Sequence, residues 1–190
     1  MAEMSKAKPL RIMGVDPGTN ILGYAIIEIA SNQIRLIDFG VVNMQRQLTA
    51  YGKLRIIFEK LQELIRQYNP NELAIEAPFF GKNVQSMLKL GRAQGVAIAA
   101  AITMNLEVTE YSPKKIKKSV TGKGTASKEQ VAAMVQTILG VKLEDITLDA
   151  TDALATAICH HYQNGHGSDS VKRYNNWNSF LSDNPDRKLG

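Results

Sequence analysis

The sequence predicts an α/β fold, a five-stranded mixed sheet with helices on both faces, and three observations carry that expectation. Apolar runs at 10–16, 23–29 and 34–42 are separated only by turn residues, the pattern of an antiparallel meander. Two more short runs, at 72–76 and 107–112, each follow a stretch of helical periodicity. Parallel crossovers are right-handed, which should set the fourth and fifth strands beside the first. Acids stand at the ends of elements: Asp16 and Glu76 close two strands, and Asp149 with Asp152 opens the last helix.

Each element has its own signal. The first strand stops at Pro17-Gly18-Thr19-Asn20, and Ser31-Asn32-Gln33 turns the second into the third. Over 51–68, Leu54, Ile57, Phe58, Leu61, Leu64, Ile65 and Tyr68 keep the i, i+3, i+4, i+7 spacing of one helix face, and Pro70 lies just past its end. A second helix is expected over 84–104. The segment that follows the fifth strand reads as a lysine-rich loop, and two more helices, over 128–139 with Gly140 as its stop and over 148–162, complete the chain. One domain over 10–163 is expected, between a flexible N-terminal extension at 1–9 and a flexible polar tail at 164–190.

Composition narrows the functional classes. With 190 residues, 44% of them apolar, the chain can bury one core and little more. Its longest apolar stretch, 95–104, is half the ~20 residues that span a bilayer, so a cytoplasmic protein without membrane contact is expected. The single cysteine, Cys159, excludes an internal disulfide and falls within an apolar helix pattern, where an inert buried thiol is expected. A net charge of +5 favours polyanionic partners. Lys114, Lys115, Lys117, Lys118, Lys123 and Lys128 occur within 111–128 without one acid among them. Alone this would be a solvated charge run. Beside the strand-end acids it reads as an edge that contacts phosphates.

Those acids point to metal chemistry. An unpaired buried carboxylate costs several kcal/mol or stays protonated, and shared divalent cations remove that cost. Oxygen-only donor sets suit Mg²⁺ or Mn²⁺, and a pair of such ions is a common means of cutting phosphodiesters. If the first and fourth strands are parallel neighbours, Asp16 and Glu76 emerge together at the carboxyl end of the sheet. Asp149 and Asp152, at i and i+3, share a helix face. Asp149 by itself could simply complement the helix dipole; Asp152, deeper in the helix, is explained less well that way.

Four blocks, in order, resemble the motifs of the RuvC family of Holliday-junction resolvases. They are Gly14-Val15-Asp16-Pro17-Gly18-Thr19, Ala74-Ile75-Glu76-Ala77-Pro78-Phe79, Leu88-Lys89-Leu90-Gly91-Arg92-Ala93-Gln94-Gly95-Val96-Ala97 and Asp149-Ala150-Thr151-Asp152-Ala153-Leu154-Ala155. The likeness covers 11–162. It implies a ribonuclease-H-like fold, a homodimer, and Mg²⁺-dependent paired nicking of four-way DNA junctions in recombination and repair. Two Mg²⁺ ions per site are implied, with Mn²⁺ able to substitute, and so is cooperation with a branch-migration helicase complex of the RuvA and RuvB type.

Carried over by motif, the metal ligands fall on Asp16, Glu76, Asp149 and Asp152, and basic catalytic positions on Lys117 and Lys128. Lys82, Lys114, Lys115, Lys118 and Lys123 become backbone contacts. Phe79 matches an aromatic that stacks on a base; its plainer role would be to cap the core. Gly91, Gly95 and Ala99 either pack against their own sheet or meet the two-fold mate. His160 and His161 suit a helix C-terminus rather than a metal. Gly122-Lys123-Gly124 lacks the spacing of a phosphate loop. The rival readings are a catalytically inert ribonuclease-H-like DNA-binding dimer and a relative of the actin-like ATPases, which need a duplicated domain.

Overall fold

Strand β1 (Leu10–Asp16) is apolar on both sides, and it therefore takes the middle of the sheet. Ile12 faces one core cluster, while Met13 and Val15 face the other. Strands β2 (Ile21–Ala30) and β3 (Gln33–Asn43) extend the sheet antiparallel on one side, with a register shift at Ile26/Ile27. The computed structural model describes residues 9–31, 33–47, 49–78, 83–141 and 147–164. The extensions expected at 1–9 and 164–190 lie, except for Pro9 and Asn164, outside the described residues, as do Phe79 and Lys82.

Helix α1 (Ala50–Tyr68) begins at Thr49, whose side chain accepts from the Gly52 amide, and ends at Asn69 in the left-handed conformation. Strand β4 (Glu72–Glu76), helix α2 (Val84–Ile102) and strand β5 (Glu107–Tyr111) complete the crossovers. The order is β3-β2-β1-β4-β5, with β4 parallel to both β1 and β5. The fifth strand thus lies beyond the fourth, not beside the first as the sequence reading had it. Each crossover steps outward by one strand, because β2 already occupies the other edge of β1.

The 111–128 segment holds a helix where a loop was expected. Helix α3 (Pro113–Thr121) is capped by Ser112, starts on a proline, and stops at Gly122 with φ of 78°. That is the usual asymmetry of proline at a helix start and glycine at its end. Ile116 and Val120 bury its inner face, so the lysines fall on the remaining surface. Helix α4 (Lys128–Leu139) opens with a capping box between Ser127 and Gln130, and helix α5 (Leu148–Gln163) closes the described fold. Helices α1 and α2 cover one face of the sheet; α5, backed by α3 and α4, covers the other.

Candidate active site

Alternation along the strands decides which acids can meet. Ile12 and Ala74 pack into the cluster that holds α5, so Gly14, Asp16 and Glu76, two or four residues on, point to the same side. Gly14 pairs with Ala74 and Val15 with Ile75 across the parallel ladder, which brings Asp16 and Glu76 level at its carboxyl end. The strands supply two carboxylates at one height on one face.

Helix α5 brings the other two, and it comes unusually near. Its inner surface is small: Ala150, Ala153, Ala155 and Ala157 are all buried. A β-carbon at Gly14 would be driven into the carbonyl oxygen of Ala153, and one at Gly23 into that of Asp149, both far inside van der Waals contact. Gly23 is the residue opposite Asp16 in the β1/β2 ladder. The bare backbone at Gly23 therefore lets the first turn of α5 settle beside Asp16. Sequence reasoning missed both glycines as positioning residues, since their role depends on strand register and helix docking together.

The electrostatics report a crowded anionic site. The Asp16 carboxyl is pushed up to about 8, first by burial and then by Glu76 and Asp152, with Asp149 adding a smaller push. Glu76 is pushed up to about 7, again by burial first and then by Asp152, while Lys128 and Lys117 oppose the shift. Lys128 Nζ donates to Asp152 Oδ2 at 2.6 Å. Burial alone would lower the Lys128 ammonium, but the hydrogen bond and charge of Asp152, with Asp16 and Asp149, outweigh it and hold it above its ordinary value. Lys117 Nζ is tethered to the Ala126 carbonyl at 2.8 Å.

The donor chemistry fits a hard divalent cation: carboxylate oxygens only, desolvated and mutually repelling. Among the described residues no three acid, histidine or cysteine side chains already enclose an ion-sized space. The ammonium of Lys128 supplies the positive charge in the arrangement seen here.

The remaining basic positions separate from one another. Lys114, Lys118 and Lys123 are exposed around α3 and its C-terminal turn. Lys115 Nζ lies 5.0 Å from the centre of the Tyr111 ring, a cation–π contact that engages it within the protein. His160 and His161 are buried, where the sequence reading expected only an end-of-helix dipole contact. His160 Nε2 lies 2.6 Å from Glu72 Oε2 and its Nδ1 lies 3.0 Å from the Tyr111 hydroxyl, which links α5 to the start of β4 and the end of β5. Cys159 is buried, and burial raises its thiol.

Comparison with known proteins agrees with this architecture. The family model described as crossover junction endodeoxyribonuclease RuvC matches residues 12–160. The crossover junction endodeoxyribonuclease RuvC of Cytophaga hutchinsonii is 56% identical over 93% of this chain and 86% of its own length. That of Bacteroides fragilis is 50% identical over 93% and 94%. The structure of Thermus thermophilus RuvC in complex with a Holliday junction substrate superposes with a TM-score of 0.77 at 31% identity, covering 83% of this chain and 96% of that one.

Proposed function

The chain belongs to the RuvC family of crossover junction endodeoxyribonucleases and is a metal-dependent endonuclease that resolves four-way DNA junctions, and we propose that Asp16, Glu76, Asp149 and Asp152 form its hydrolytic centre. One observation carries the assignment of residues. Acids from two parallel strands and from the first turns of a helix converge at the carboxyl end of the sheet, where burial and the neighbouring carboxylates push Asp16 and Glu76 well above the ordinary range. A fold gains no stability from such an arrangement unless something cationic joins it.

The four carboxylates would hold Mg²⁺, with Mn²⁺ as a substitute, two ions to a site. Bound there, the ions would activate the attacking water and neutralise charge on the leaving 3′ oxygen. The protein's own residues do the rest. Gly14 and Gly23 keep α5 against the sheet, so that Asp149 and Asp152 stay with Asp16. Lys117, fixed through Ala126, and Lys128 place ammonium groups where a scissile phosphate gains negative charge. Phe79 and Lys82, which follow β4 in the sequence, serve as a stacking platform and a backbone contact. Lys114, Lys118 and Lys123, and more weakly Lys115, hold backbone phosphates.

Symmetric resolution needs two such sites related by a two-fold axis, and α2 offers the surface for it. Beyond the β-carbon positions of Gly91 and Gly95 lies open space, and Val84, Leu88 and Ile102 are exposed along the same side. The opposite side, with Ala93, Ala97 and Ala100, is the one that packs on the sheet. The small-residue face is thus free to meet a second copy. A single nuclease domain over 10–163 acts in the cytoplasm together with a RuvA- and RuvB-type branch-migration complex; no helix among the described residues is long and apolar enough to cross a membrane.

The test is incubation of the protein with a synthetic four-way junction and Mg²⁺, beside duplex of the same sequence. Symmetrical nicks in the junction are expected, with none when the ions are chelated. Cleavage that proceeds unchanged in Asp16→Asn would remove the carboxylate cluster from the chemistry.

A further inference from the structure

Outside the carboxylate site, the side of the sheet covered by α1 and α2 carries a cleft of about 330 Å³ where those helices meet the turn after β1. Asn20, Lys53, Lys89 and Arg92 line it over a floor that includes Leu54 and Ile57, and no acid lines it. Lys53 Nζ donates to Asn20 Oδ1 at 2.6 Å, a neutral acceptor that aims the ammonium and leaves its charge uncompensated. Among the described residues, neither Lys89 nor Arg92 takes part in an ion pair. Three cations turned into one concavity repel each other, an arrangement that a polyanion relieves.

The location links this cleft to the chemistry. Asp16 ends β1, and Thr19 and Asn20, three and four residues later, already line the cleft. It therefore opens at the same end of the sheet as the acids, on the opposite side from α5. Arg92 also borders the exposed α2 stripe of Leu88, Gly91 and Gly95, so in a two-fold assembly one cleft would lie on each side of the seam.

We propose that this cleft is a second anion subsite, in which Lys53, Lys89 and Arg92 grip a backbone phosphate of a junction strand after it has crossed the sheet end from the carboxylate site. The proposal rests on the reading of the protein as a junction endonuclease. The subsite holds the strand and sets its course, and it carries out no chemistry.

The experiment is a salt titration of junction binding, read by fluorescence anisotropy in Ca²⁺ buffer, on the full chain and on the combined variant Lys53→Gln, Lys89→Gln, Arg92→Gln. The slope of log K against log salt should flatten by about 1, near 0.9 for the one phosphate no longer neutralised, with affinity falling ~10-fold near 0.1 M salt. Nicking at saturating protein should fall much less than affinity. Lys53→Arg with Lys89→Arg should keep the native slope, which separates charge from side-chain shape. Single methylphosphonate replacements along the junction should reveal a position that weakens binding of the native protein and not of the triple variant. An equal slope in native and triple-variant proteins, or no such position, would overturn the subsite alone. A native protein that neither binds nor cuts the junction would overturn the junction reading along with it.

Discussion

Gly14 and Gly23 on one side of the sheet, and Gly91 and Gly95 on the other, show one residue type put to opposite uses. At the first pair the missing side chain is filled by the backbone of α5; at the second there is open space. The first pair draws a helix of this chain against the end of the sheet where the acids gather, and the second leaves room outside the chain. A glycine in a sequence therefore marks a close approach without saying what approaches. The α5 side is sealed and holds the acids, whereas the α2 side is open and apolar, suited to a second copy.

The largest expected effect tests the sealed side. Asp16→Asn, Glu76→Gln, Asp149→Asn and Asp152→Asn should each lower nicking by ~10³-fold or more, since several kcal/mol of transition-state stabilisation depends on metal held there. Junction affinity, measured separately, should be largely retained. Asp16→Asn and Glu76→Gln should have an opposite effect on the metal-free fold. The Asp16 carboxyl titrates near 8 when folded against an ordinary value of 3.8, so the folded state binds that proton more tightly than the unfolded state. The resulting stability is fully present below about 3.8 and is lost as pH rises through about 8. Melting temperature in chelator should thus fall from pH 5 to pH 8, and Asp16→Asn should flatten the fall. A native profile that rises over that range would contradict the crowding of acids.

Next in size is Gly23→Ala. One methyl forces the first turn of α5 away from Asp16, at a cost of roughly 1–3 kcal/mol or more in stability and of ~10²-fold in nicking through displaced carboxylates. Calorimetry and single-turnover cleavage read the two. Gly91→Ala should leave the fold as stable or slightly more so, because the site is open and alanine favours a helix. Equal damage at both positions would end the contrast between the two pairs.

Among the lysines, Lys117→Ala and Lys128→Ala should slow nicking by ~10²-fold with smaller changes in affinity. Lys114→Ala should mainly lower affinity and its salt slope, by about one counterion, and Lys115→Ala should do less because that ammonium is engaged with Tyr111. Uniform effects at these positions would make α3 an undifferentiated cationic surface.

The smallest effect on chemistry at one site, and the sharpest on pairing, is expected from Gly95→Leu. If α2 meets its mate, light scattering should find the native protein dimeric and the variant separated into single subunits, and singly nicked junctions should accumulate on a cruciform plasmid. A variant that remains dimeric and linearises the plasmid would move the interface elsewhere.

Much of this was legible in the residues because it rests on local rules. Strand alternation, the period of α1, and the turn residues after Asp16 and Ala30 foretold every strand and four of the five helices within a few residues. The motif order marked the four acids. Helix α3 was legible too, through Ser112-Pro113 and Gly122, but six lysines in a short span masked its apolar pair of Ile116 and Val120. What the sequence alone determined is which elements form, where they stop, and which residues carry charge, since capping, periodicity and turn chemistry act over a few residues. Only the tertiary structure decided which side of each glycine is filled, that His160 bridges α5 to Glu72 and Tyr111, and that Lys53, Lys89 and Arg92 share one cleft. Each of these depends on distant segments docking at one register and one depth, and no short-range pattern along the chain records that geometry.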